Sequence, residues 1–163
     1  QMMKYCEFIF GAKYLWEVAR GVPHIPFEAL DADYEIDKEA YQKYFRKMHQ
    51  LFPKCKKMLM AVRNQIASSH HTLSGLLYDA VEDQLYTTRI YDIEPIVDPM
   101  GVGDAFIAAY IHAHQKWGDK NQYCLDFSLS ASAIKNTVPG DQNLVTEEEI
   151  INNMTSSGGR IQR

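Results

Sequence analysis

No stretch of this chain approaches the run of about 20 consecutive apolar residues that a bilayer crossing requires, so no membrane span is expected. Cysteine is sparse. Cys6, Cys55 and Cys124 are scattered and lack metal-type spacing, which fits reduced thiols in a cytoplasmic protein. Basic charge is also short: 17 Lys and Arg against 21 Asp and Glu leave a formal net charge of −4, and no basic stripe appears. A nucleic-acid partner is therefore not expected. Neither an internal repeat nor a low-complexity run is present. The six histidines offer no metal site by spacing. His70 and His71 are adjacent and would point opposite ways on an extended segment, while His112 and His114 would face different sides of a helix.

What remains is an ordinary globular composition, 46% hydrophobic and 23% charged, in 163 residues. That length buries one substantial core and predicts one domain. The most informative segment is Asp98-Pro99-Met100-Gly101-Val102-Gly103-Asp104-Ala105-Phe106. It places two glycines and an aspartate at the mouth of an Ala-rich, proline-free stretch, Ala105 to Trp117, that Gly118 closes at the expected C′ position. A helix start carries unpaired N–H groups and about half a positive charge, and so favours a phosphate. Gly101 and Gly103 let the backbone approach an anion without interference from Cβ. Asp104, in the first turn, is placed to accept a proton from a hydroxyl that attacks that phosphate. Asp is also a preferred residue at helix starts and Gly-x-Gly a common turn, so these four residues alone mark a cap more often than a catalytic site.

Strand-like and helical patterns alternate along the chain. Tyr5 to Phe10 reads as a strand, followed by a helical stretch through Trp16, Val18 and Ala19 that Gly21-Val22-Pro23 stops. Asp37 to Leu51 is an amphipathic helix ended by Pro53, and Lys57 to Val62 a buried strand. Gly75 to Tyr78 and Gln84 to Tyr91 read as strands around a turn at Glu82-Asp83. Beyond the Ala-rich helix, Tyr123 to Thr137 is helical up to Val138-Pro139-Gly140-Asp141, and Thr146 with Glu149 forms a capping box for a last short helix. The Ser/Gly-rich tail from Thr155 is expected to be loose. This alternation predicts an α/β fold with helices on both faces of a sheet.

The string D-P-M-G-V-G-D-A-F resembles the second signature of the ribokinase-like (phosphofructokinase B) carbohydrate kinases, D-T-x-G-A-G-D-x-F. Two further stretches resemble one branch, the 2-keto-3-deoxygluconate kinases. Ala131 to Asn143 matches an A-S-A-x-K-x-T-x-P-G-D-x-N run. Ala61-Val62-Arg63, then Ser68-Ser69-His70-His71 and Leu77-Tyr78-Asp79, is similar to that branch's T-L-R strand, Ser/His turn and L-Y-D hairpin. The resemblance implies a ribokinase-like αβα layered sheet and ATP-dependent phosphorylation of a hydroxyl on a small sugar or sugar acid, with 2-keto-3-deoxygluconate the leading substrate. Asp104 would be the general base, and the amides of Gly101, Val102 and Gly103 the anion hole. Arg63, Ser132, Ala133, Asn136 and Gly140 would contact ATP, with adenine laid between the Ser128–Ala133 face and the loop after it. The small-residue face also fits plain helix packing, and Arg63 a solvated strand end. Asp98 would shape the loop and contribute to a monovalent-cation site holding K⁺; Mg²⁺ would accompany ATP.

Ribokinase-like enzymes are typically about twice this length. Residues 1–154 are thus expected to be the C-terminal, nucleotide-binding half of a kinase domain and 155–163 a tail, the whole enzyme a homo-oligomer and this piece alone inactive. One departure stands out. Where the family carries Asn-x-x-Glu, this chain has Ala12 and Leu15, and Glu17 falls two residues out of register. That substitution keeps open a catalytically degenerate nucleotide-binding paralogue, as the resemblance keeps open a kinase for another sugar or a nucleoside.

Overall fold

Alternate residues of one strand feed two separate cores. On β2 (Lys57–Ala67) the side chains of Met58, Met60 and Val62 pack one way and Leu59 the other; on β3 (His70–Asp79) Leu76 and Tyr78 oppose Leu73 and Leu77. A sheet whose both faces are apolar must be covered on both. The computed structural model describes residues 2–11 and 34–156. Within them, α1 (Lys38–Leu51) covers the first face, and α2 (Val102–Trp117), α3 (Asn121–Lys135) and α4 (Glu147–Thr155) the second. The α/β layering expected from the sequence is present.

The sheet runs β1 (Phe8–Gly11), β2, β3, β4 (Gln84–Thr87). β1 is parallel to β2 and the remaining pairs are antiparallel. β5 (Tyr91–Ile93) pairs with His71–Leu73, on the same edge of β3 that β4 occupies further along. Phe45 of α1 is fully buried and stacks on Tyr78 at a centroid distance of 5.7 Å. Burial of such a side chain contributes about 1.5–3 kcal/mol. Asp37 caps α1 by accepting the Ala40 N–H at 2.9 Å. The capping box at α4 is formed as expected, with Thr146 N–H donating to Glu149 and Glu149 N–H to Thr146.

Several boundaries differ from the sequence-based expectation. Met2–Tyr5 is a short 3-10 turn, and the strand starts only at Phe8, where pairing with Lys57 begins. β2 and β3 reach into polar sequence, because Arg63, Asn64 and Gln65 find ladder partners in Leu73, Thr72 and His71. The expected Gln84–Tyr91 strand is two strands. Thr88 interrupts it: its hydroxyl accepts the Gly75 N–H and donates to the Arg89 carbonyl, and Arg89 swings out over the Tyr91 ring. The helical stretch proposed near Trp16 and the residues beyond Ser156 lie outside the described residues. All three cysteines are free thiols; Cys6 is exposed, Cys55 and Cys124 buried.

Lys57, Asp79 and Asn121 form a buried polar knot where β2 begins and α3 starts. The Lys57 ammonium donates to Asp119 and Asn121, each at 2.6 Å, and lies 3.6 Å from Asp79, whose carboxylate accepts Asn121 Nδ2. This knot fixes the turn between α2 and α3 against the sheet, and so fixes the axis of α2, whose opposite end carries the glycine loop.

Candidate active site

The loop leading into α2 is held from three directions. The Ile96 N–H donates to the Ser69 carbonyl in the β2–β3 turn, and the N–H groups of Val97 and Asp98 both donate to the Asn136 carbonyl at the end of α3. The Asp98 carboxylate then bridges two loops, accepting the Met100 N–H through Oδ1 and the Gly140 N–H through Oδ2, each at 2.9 Å. These two amides hold its carboxyl below the ordinary carboxylate range, with the Lys135 charge adding to the effect. Ser132 Oγ donates to the Val102 carbonyl at 3.0 Å, tying α3 to the first residue of α2.

Gly101 is the N-cap of α2, with φ 73° and ψ 2°, and no side chain caps the helix. A Cβ at Gly101 would stand 2.3 Å from the Asp141 carbonyl oxygen, so glycine is required there by both conformation and close approach. Gly103 differs. It lies inside the first turn without positive φ, and a Cβ built on it meets nothing within 4 Å. The open approach is thus over Gly103 and the tight backbone contact is under Gly101. The helix begins at Val102, three residues before the Ala105 start that the sequence suggests, which places Gly103 and Asp104 within its first turn. The first-turn N–H groups and the exposed Asp104 carboxylate therefore sit together at one helix mouth.

The other predicted contacts fall into two groups. Gly140 is exposed with φ 80°, beside the Asp98 clasp. Arg63 is exposed and lies four residues inside the end of β2, not at a strand end, on the Leu59 side of the sheet that also carries α2 and α3, and in the ladder row of Leu73 and Tyr91. Ser132, Ala133 and Asn136, by contrast, are buried. Ser132 Oγ and Asn136 Nδ2 donate to backbone carbonyls, the latter to that of Ser132 at 3.0 Å. These three form the wall behind the loop. A depression of about 210 Å³ between α2, α3 and the start of α4 is lined by Ala109, His112, Phe127, Asn143, Val145, Glu147 and Ile150.

Lys135 went unassigned on sequence grounds. It is fully buried, and its ammonium donates to the carbonyls of Val138 and Gly140 at 3.1 and 2.7 Å. Its signal was there to find: a lone cation ending the helical run Ser128-Leu129-Ser130-Ala131-Ser132-Ala133-Ile134, every member of which is buried. Among the described residues no group of three or more His, Cys, Asp or Glu is placed to hold a metal ion, and no helix is long and apolar enough to cross a membrane.

This arrangement of sheet, glycine loop and following helix is the ribokinase-like fold, and the solved structures to which the chain is similar include carbohydrate kinases of the PfkB/ribokinase family. One is 2-dehydro-3-deoxygluconokinase from Thermotoga maritima, with 26% identity, a TM-score of 0.80, and coverage of 95% of this chain but 43% of that one. Another is a PfkB family carbohydrate kinase from Listeria grayi, at 23% identity and TM-score 0.75, again over 95% and 43% of the two chains. Arabidopsis thaliana ribokinase, solved with ribose and ATP, aligns at 16% identity and TM-score 0.62 over 96% of this chain and 43% of its own. The chain thus spans less than half the length of these relatives. No protein-family model and no curated protein sequence matches it.

Proposed function

We propose that this chain carries the phosphoryl-transfer site of an ATP-dependent sugar kinase, acting on a hydroxyl of a small sugar or sugar acid. The observation that carries the proposal is the helix mouth itself: uncapped first-turn amides, open space over Gly103, and an exposed carboxylate on the next residue. The amides of Gly101, Val102 and Gly103 face the charge that builds on the transferring phosphoryl group, a preorganised contribution that is usually the largest in such catalysis. Asp104 accepts the proton of the attacking hydroxyl. Arg63, on the face of the sheet that α2 and α3 cover, suits a bidentate grip on phosphate oxygens. The depression beside α3 offers adenine the apolar walls of Ala109, Phe127, Val145 and Ile150. Ala109 lies six residues from Gly103 along α2, a rise of about 9 Å.

Magnesium, when bound with ATP, neutralises phosphate charge, and such ions are usually held by the phosphates and few protein groups. The likeness to the Thermotoga enzyme, with the Ala131–Asn143 run, favours 2-keto-3-deoxygluconate or a related sugar acid as acceptor. The loss of Asn-x-x-Glu at Ala12 and Leu15 favours a second reading, nucleotide binding without transfer. Asp104→Asn separates the two. In the catalytically competent protein it should lower kcat by about 10²–10⁴-fold, the usual worth of a positioned base, with ATP affinity little changed. Unaltered turnover would remove Asp104 from the mechanism, and no turnover with any sugar, sugar acid or nucleoside would leave only the binding reading.

A further inference from the structure

The resemblance implies a monovalent cation beside Asp98, yet the oxygens around Asp98 are already engaged by donors of the protein itself. A hard cation needs oxygen lone pairs converging on one point. Both Asp98 oxygens accept backbone N–H groups, from Met100 and from Gly140. The carbonyls flanking that clasp, Val138 and Gly140, converge instead on the Lys135 ammonium. Lys135 is wholly buried, and its Cε lies 3.4 Å from where a Cβ on Gly101 would be, so its stem passes directly beneath the N-cap of α2. One side chain therefore touches the floor of the glycine loop, the loop at residues 138–140 and the field of Asp98.

We propose that the Lys135 ammonium is a tethered counter-ion that takes the place of a monovalent cation under the glycine loop, making the geometry of that loop independent of potassium. An ammonium is a compact point charge with three donors, so it can satisfy converging carbonyls much as a small cation does. Because it is covalently attached, its binding costs none of the freedom a free ion loses on association. The consequence for nucleotide binding rests on the function proposed above; the consequence for the fold does not.

The test compares thermal unfolding and binding of an ATP analogue in potassium chloride and in tetramethylammonium chloride at equal ionic strength. The wild-type chain should unfold at the same temperature in both salts. Its nucleotide affinity should agree within about twofold, well below the roughly 5–150-fold typical of coupled sites. Lys135→Ala, which opens a hole lined by the same oxygens, should be destabilised in tetramethylammonium and regain stability in potassium. Lys135→Met, which fills the hole without charge, should be destabilised equally in both. Potassium dependence of the wild-type midpoint would overturn the proposal, as would Lys135→Ala responding to potassium no more than Lys135→Met. If neither variant folds, the wild-type midpoints alone decide. A wild-type chain that binds no nucleotide in either salt would count against the kinase function, while the unfolding comparison still judges Lys135.

Discussion

The Asp98 carboxylate accepts the Gly140 backbone N–H at 2.9 Å across 42 positions of sequence, and so joins the loop before α2 to the loop after α3. Because this hydrogen bond and that from Met100 favour the charged carboxylate, its folded-state pKa lies below the ordinary value of about 3.9. A depressed carboxylate stabilises the fold above its unfolded pKa and loses that contribution as pH falls through the folded one. The Gly140 and Met100 amide resonances should therefore move together below about pH 4, and Asp98→Asn should abolish that shared titration. Independent titration of the two amides would show that Asp98 does not bridge them.

The two loop glycines should respond to alanine with opposite signs. Gly101→Ala forces an L-residue into the left-handed region, about 1–3 kcal/mol, and drives Cβ against the Asp141 carbonyl oxygen, so stability should fall by at least that amount. Gly103→Ala meets open space in a helical turn and should leave stability unchanged or raise it by about 0.5–1 kcal/mol. Its added methyl should nonetheless weaken nucleotide binding. Chemical denaturation checks the first pair of values and calorimetric titration the last. Equal destabilisation by both changes would contradict the division of roles between the glycines.

At the far end of α2, Lys57→Ala should be costly, because it strands the buried Asp79 carboxylate and the Asn121 amide oxygen. Removing one partner of a buried ion pair typically costs about 3–5 kcal/mol. Asp79 keeps Asn121 Nδ2 and the Val81 N–H, so the lower end of that range is expected. Urea unfolding measures it, and a loss under about 1 kcal/mol, the size typical of exposed pairs, would mean that the knot is solvated.

Local chemistry made much of this readable in advance. Asp37, Thr146, Glu149 and Gly118 mark helix ends through caps that operate within a few residues, and all four act as expected. The glycine loop was legible because its residue types are restricted by sterics. What escaped was non-local. Arg63, Asn64 and Gln65 extend a strand only because β3 lies opposite them. Thr88 ends one only because Gly75 presents an N–H across the sheet. Nothing near Gly101 tells that it, rather than Gly103, carries the positive φ, or that the Asp141 carbonyl, 40 residues on, lies where its Cβ would stand. Ser132 Oγ and Asn136 Nδ2 also donate to backbone carbonyls behind the loop, of Val102 and Ser132, and the Val102 partner is 30 positions away in sequence.

The mouth of α2 is proposed to receive the phosphates of a nucleotide, and an amide-resolved NMR titration of the chain with an ATP analogue measures this most directly. The largest shifts should fall on Gly101, Val102, Gly103 and Asp104, with Gly140 following through the Asp98 clasp, and inorganic phosphate should reproduce the first four more weakly. Shifts centred elsewhere, or none at saturating nucleotide, would contradict the assignment of this loop as the phosphate site.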